Sequence, residues 1–205
     1  RRDLPPSSRL PSMLRSLALA LLASAHAAVM KEPRTGISFQ EKRNGGSLDR
    51  LGVRTKGPIK VYAVGEYDNG DYVLKMSYGV GASKMVSALG DALKPRCSDA
   101  SLIDKFEECL LNGLPNGAPK GTQLAFSTGG GSLKVAVNDK AVGAIASKPL
   151  CEAFANIYKD KNAVCAMNPI GGDGEVAAGG KSGLVYALKG AVVGAAAGYG
   201  YSKFA

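Results

Sequence analysis

From residue 28 onward, the alternation of apolar and polar positions changes period several times. Gly36-Ile37-Ser38-Phe39-Gln40 repeats every second residue and predicts a short strand. Asn44-Gly45-Gly46 is a turn, and residues 48–53 begin a second extended stretch that Gly57-Pro58 interrupts. Residues 59–67, IKVYAVGEY, are rich in β-branched and aromatic side chains and give the clearest strand. Asp68-Asn69-Gly70-Asp71 is a tight turn, with residues 72–78 as the antiparallel hairpin partner. The period then lengthens. Met85, Val86, Leu89 and Leu93 recur at helical spacing over 83–93, and Pro95 ends that helix. Over 101–111, Leu102, Ile103, Phe106, Cys109 and Leu110 form one apolar stripe while Asp104, Glu107 and Glu108 face away. Ser101 with Asp104 resembles a capping pair. Residues 122–127, 133–137 and 141–145 are three short extended segments, joined by Gly129-Gly130-Gly131 and an Asn138-Asp139 turn into a meander. Residues 147–158 are helical again, capped by Ser147, with Leu150, Phe154, Ile157 and Tyr158 on one side. Strand runs separated by helices, without a βαβ rhythm, predict an α+β fold: an antiparallel sheet with helices layered on one face.

Both ends depart from this pattern. Met13 is followed by Leu14, Arg15 and SLALALLASAHA, with small residues at Ala25 and Ala27. A short basic start, an apolar stretch and an A-x-A site are the parts of a secretory signal peptide, so residues 1–27 read as a targeting segment cleaved after Ala27. Such a peptide leads to secretion or, in organisms with complex plastids, forms the first half of a plastid address. Residues 168–182, NPIGGDGEVAAGGKS, read as a flexible linker. Residues 183–200 are apolar apart from Lys189, with Gly190, Gly194 and Gly198 four apart, a spacing that lets helices approach closely in a membrane. Small side chains give little transfer energy, so a low-complexity tail competes with a membrane anchor there. The expected organisation is a targeting peptide over 1–27, a folded domain over 28–165, and a Gly-rich linker with an apolar tail over 166–205.

Composition narrows the chemistry. Of 205 residues, 45% are hydrophobic and 21% charged, a balance that supports a packed core rather than wholesale disorder. The one histidine, His26, lies in the targeting segment. A mature chain without histidine has no Ser-His-Asp triad, no Cys-His dyad and no His-ligated zinc. Cys97, Cys109, Cys151 and Cys165 form no C-x-x-C pair, which argues against a structural zinc. Cys109 and Cys151 fall on apolar helix faces, where cysteine acts as a small hydrophobe. The net charge is +9, but it is dispersed, with no basic run and no basic–aromatic interleaving. Nucleic acid is therefore not an expected partner, whereas a small anionic ligand is compatible.

In colinear order over about residues 31–160, the segments EPRTGISF, GVRTKGPIKVYAVGEY, GASKMVSALGDAL and KGTQLAFSTGGGSLKVAVNDKAVGAIASKPLCEAFANIY resemble the chalcone isomerase family. The GVR element before the KVYAVG strand and the late SKPLCEAF helix carry the resemblance. It implies an open-faced β-sandwich, an antiparallel sheet with helices layered on one face. It also implies one of two activities. True isomerases add a phenolate oxygen to an enone and close a flavanone ring, an arginine holding the oxyanion. The other branch binds fatty acids in the equivalent cleft, where an arginine and a tyrosine grip the carboxylate. Neither needs histidine or a cofactor.

By this resemblance Arg54, in GVR, is the shared arginine. Its planar fork of donors stays charged when desolvated and suits a carboxylate or oxyanion. Tyr62, in KVYAVG, falls where the fatty-acid binders carry a tyrosine and the isomerases a threonine. Where the isomerases place a tyrosine and, seven residues later, an asparagine, this chain has Met85 and Ala92, and Ala144 replaces a hydroxyl residue before the last helix. Each lost preorganised donor costs on the order of 10²-fold in rate. The separation between Arg54 and Tyr62 is shorter than usual in either branch, which argues against both touching one carboxylate. The expected function is non-catalytic binding of a fatty acid or similar amphiphilic carboxylate, with Arg54 and Tyr62 as ligand-binding residues. The alternatives are an intramolecular lyase of the chalcone-to-flavanone type and a structural protein held to a membrane through residues 183–200.

Overall fold

The sheet is built from meanders whose turns are written in the sequence. In the computed structural model, which describes residues 28–170, β1 (Val29–Lys31) and β2 (Ser38–Gln40) form a small separate hairpin. They are followed by β3 (Lys42–Arg43), β4 (Gly46–Lys56), β5 (Ile59–Tyr67) and β6 (Asp71–Met76). Two helices come next, α1 (Ala82–Leu93) and α2 (Ala100–Asn112), then β7 (Gln123–Ser127), β8 (Ser132–Val137) and β9 (Lys140–Ala146), then α3 (Lys148–Lys159) and a last strand, β10 (Met167–Pro169). Residues 1–27, read above as a targeting peptide, and the apolar stretch 183–200 lie outside the described residues.

The main sheet runs β10-β4-β5-β6-β7-β8-β9, antiparallel throughout, with β3 paired to β4. Asn44 and Gly45 both have positive φ, as do Asn138 and Asp139. That pairing makes the two-residue hairpin turns whose twist matches the flanking strands. The helices end as their sequences direct. The Ser147 hydroxyl accepts from the Leu150 N–H and caps α3, with Pro149 in the first turn. The cap of α2 is Asp99 rather than Ser101: its carboxylate accepts from the N–H groups of Ser101 and Leu102, and Ser101 instead donates its hydroxyl to Asp99. A carboxylate outranks a hydroxyl at this position because it also meets the positive end of the helix dipole.

Side chains alternate across the sheet, so both faces are apolar. Tyr72, Leu74, Leu124 and Phe126 point to the helices and pack with Phe106, Phe154, Ile157 and Tyr158. The Phe126 and Phe154 ring centroids are 4.5 Å apart. Leu51, Val53, Ala63, Tyr67 and Val73 point the other way and are covered by the β1–β2 hairpin, chiefly by the fully buried Phe39. The turn of that hairpin is organised by buried Glu32, which accepts from the N–H groups of Arg34 and Thr35 and from the Thr35 hydroxyl. Phe39 lies so close over Gly65 that a Cβ there would sit 2.8 Å from its ring. This second layer was not expected from the sequence, because β1 and β2 are each only three residues long.

Met167–Pro169 also departs from expectation. Residues from 168 read as linker, yet this stretch pairs with β4, Met167 opposite Gly52. Gly52 makes room for it: a Cβ at that position would lie 2.6 Å from the Met167 sulfur. The α+β architecture itself, a curled antiparallel sheet with three helices on one face, is as the sequence predicts.

Truncating Phe39 should expose the second face. Phe39→Ala is expected to cost about 3–5 kcal/mol in urea unfolding, and a loss under about 1 kcal/mol would mean the hairpin does not seal that face.

Candidate functional site

Register decides where the candidate residues meet. Arg54 of β4 pairs directly with Tyr62 of β5. Directly opposed residues in an antiparallel pair send their side chains to the same face. Here that is the helix face, since Tyr62 joins the helix-side core. The short separation read from the sequence is therefore what brings the two residues together, because a tight turn at Gly57 (φ 57) makes them cross-strand neighbours.

Opposite them runs α1. Met85, Leu89 and Ala92 recur along one stripe and are buried, while Lys84 and Ala88 beside them are exposed. Between this stripe and the ends of β4 and β5 lies a cavity of about 510 Å³. Arg54 and Tyr62 both line it, as do Met85 and Ala92, two of the three positions at which this chain lacks a polar group of the isomerase pattern. Val61, Val80, Leu89 and Val164 add apolar wall. Among the described residues, the charged side chains lining it are Arg54, Lys56 and Lys84, all cationic. Its size falls in the range of small-molecule sites, roughly 300–1,000 Å³.

Arg54 stands exposed at the mouth and donates from Nη1 to the Val164 carbonyl at 2.6 Å. Among the described residues no carboxylate pairs with it, so most of its donor fork remains open to a ligand. Tyr62 is buried, 5% exposed, and its hydroxyl lies 3.4 Å from that of Tyr158 on α3. That is long for a bond between hydroxyls, which leaves room for a stronger partner. Burial pushes the Tyr62 phenol well above its ordinary value, with Tyr158 and Arg54 pulling it partly back. Burial likewise raises Tyr158. Both phenols are therefore neutral and able to donate at neutral pH. Cys165, next to the Arg54-bound carbonyl, is pushed up by burial to about 12, against a downward pull from Arg54, and is an unreactive thiol.

Two further groups fix the walls. Arg96 grips Asp160 with two parallel bonds of 2.8 and 2.9 Å and donates to the carbonyls of Ala92 and Asn162. It thereby ties the end of α1 to the loop that carries Val164. Beyond Tyr62, Tyr158 stacks on Tyr72, whose hydroxyl donates to buried Glu66, and Glu66 is ion-paired to Arg50 and Lys159.

Ala144 is not part of this cavity. It sits exposed on edge strand β9, lining a separate groove against α2 with Lys105 and Cys109. Lys56, Lys84, Tyr158 and the Val164 carbonyl were not singled out from the sequence. Tyr158 read there as one more apolar-stripe residue, and the lysines come from segments that only folding brings together. Among the described residues no group of three or more His, Cys, Asp or Glu is placed to hold a metal ion.

No protein-family model and no curated protein matches this chain. Among solved structures, its fold matches that of a fatty-acid binding protein from Arabidopsis thaliana, with a TM-score of 0.55 and 22% identity over 67% of this chain and 94% of that one. The fold is chalcone isomerase-like. At this identity the likeness is one of architecture, and the cavity has to be read from this chain's own residues.

The buried phenols and thiol set a pH dependence. Unfolded, they ionise near 10.0 and 9.0; folded, they resist ionisation. Above about pH 9 the unfolded chain therefore binds fewer protons than the folded one, so stability is complete below that pH and falls as pH rises. Urea midpoints should decline from about pH 9 to about pH 12, each group adding a slope of up to about 1.4 kcal/mol per pH unit. A flat profile would show these groups open to water.

Proposed function

We propose that this domain binds a fatty acid or similar amphiphilic carboxylate in the cavity beneath α1 and does not turn it over. The observation that carries the reading is the polarity of the cavity. Its wall is largely apolar, and among the described residues every charged group on it is a cation at the mouth. A carboxylate meets the Arg54 fork there, with the neutral Tyr62 hydroxyl as a second donor on the same face. The alkyl chain then lies along Met85, Leu89 and Ala92, gaining roughly 25 cal/mol for each Å² of apolar surface it removes from water. The structural neighbour is itself a fatty-acid binding protein, which favours a binding role.

The same wall argues against catalysis. Ring closure needs donors around a ketone where negative charge develops. At Met85 and Ala92 this cavity offers a thioether and a methyl group. Arg54 and the Tyr62 hydroxyl could hold an oxyanion, but α1 adds no donor to orient the enone.

Delipidated protein titrated with long-chain fatty acids should bind at micromolar concentrations or tighter. Arg54→Ala should weaken binding at least about tenfold, the loss of one charge-assisted contact. Tyr62→Phe should cost less, about fivefold. A chalcone should keep its visible absorbance in the presence of the protein. Bleaching that Arg54→Ala abolishes would assign the site to an intramolecular lyase, and failure of the unmutated protein to bind any fatty acid would end the binding reading.

A further inference from the structure

Four large hydrophobic side chains are prominently exposed among the described residues: Val29, Ile59, Tyr78 and Leu111. Two of them, Ile59 and Tyr78, flank the mouth of a single cavity, and the three cations of that cavity stand beside them. Ile59 is 42% exposed at the tip of the β4–β5 hairpin, between exposed Lys56 and Lys60. Tyr78 is 54% exposed just after β6, where its N–H donates to the Val61 carbonyl of β5, and Lys84 follows on the first turn of α1. Gly57, Pro58, Gly79 and Gly81, all exposed, keep this rim low and free of bulky polar groups. Among the described residues, no acidic side chain lines the cavity.

An aliphatic tip and a tyrosine within a ring of lysine and arginine is the composition of a surface that settles into the headgroup region of a bilayer. The cations meet lipid phosphates, and the apolar side chains enter the acyl boundary. We propose that the cavity mouth is a docking surface for an anionic lipid bilayer, oriented so that the cavity opens onto the membrane. The contact is peripheral: among the described residues no helix is long and apolar enough to cross a membrane. An acidic protein partner would satisfy the cations equally well. The bilayer is favoured because Ile59 and Tyr78 project as isolated apolar points rather than a continuous patch. This surface stands apart from whether the cavity holds a fatty acid, since it concerns the rim and not the interior.

The chain contains no tryptophan, so Ile59→Trp in the full chain places a sole reporter at the hairpin tip. With vesicles of equimolar phosphatidylcholine and phosphatidylglycerol, its emission should shift to the blue and be quenched by lipids brominated on their acyl chains. With phosphatidylcholine alone, or in high salt, both effects should largely vanish. In vesicle sedimentation of otherwise unmutated chain, Lys56→Glu should weaken association more than about fivefold, the loss of one surface cation plus an added repulsion. Ile59→Asp should weaken it further. If the reporter stays in water, or if vesicle association is unchanged by Lys56→Glu and Ile59→Asp, the rim is not the contact and the proposal fails. Binding to an acidic protein without binding to vesicles would overturn it in favour of a protein partner. Fatty-acid titration of the unmutated protein, run alongside, keeps the failure of this surface distinct from failure of the cavity.

Discussion

Along β4 and β5, Leu51 faces Gly65, Gly52 faces Val64, and Arg54 faces Tyr62. Because side chains alternate with a period of two, this one register fixes the whole division of labour. It sends Leu51 and Val53 to the hairpin face and Arg54 and Tyr62 to the helix face. A slip by one residue would bury the guanidinium under Phe39 and open the second face to water. The glycines hold the register as firmly as the apolar residues do. Gly65 admits the Phe39 ring and Gly52 admits Met167, so the strand pair is locked from both faces by side chains that tolerate no Cβ beneath them. The cavity follows from that locking.

Between cavity and α3 the interior is polar in an ordered way. Tyr62 touches Tyr158, Tyr158 stacks on Tyr72, and Tyr72 reaches Glu66, which Arg50 and Lys159 neutralise. Arg50 Nη2 lies 3.0 Å from Glu66 Oε2, yet that oxygen and Arg50 Nε lack well-directed hydrogen bonds. A buried ion pair of this kind contributes little net stability, because desolvation offsets most of the attraction. Its value here is positional. It holds α3 at one height on the sheet, and so holds the Tyr158 hydroxyl and the Val164 carbonyl where Tyr62 and Arg54 meet them.

Much of this architecture was legible in the residues. The long strand 59–67 and all three helices coincide with their periodicities because each carries several apolar residues at one spacing. What escaped was short or conditional. Two- and three-residue strands such as β1, β3 and β10 carry too few positions to show a period, and their pairing comes from a distant partner. The α2 cap lay two residues earlier than its Ser101–Asp104 pattern implied, since either side chain satisfies the local rule and only geometry chooses. In the site, Arg54, Tyr62, Met85 and Ala92 converge on one cavity, whereas Ala144 does not. A strand position before the last helix has no fixed distance from the first hairpin, and colinear comparison cannot measure it.

The last few residues of the β4–β5 hairpin have one further property. The β10 ladder supports β4 only as far as Gly52, and on the β6 side support for β5 ends at Val61, whose carbonyl accepts from the Ser77 and Tyr78 N–H groups. Beyond those points the two strands run on as an overhanging ribbon, bonded to each other and steadied by Arg54 on the Val164 carbonyl and Lys60 on the Arg34 carbonyl. Val80 is pinned to Ala118 on one side, and Arg96 clasps the far end of α1. Compliance is thus concentrated in the ribbon, which is also one lip of the opening. Bending of this cantilever would widen or narrow the mouth without altering a single contact inside.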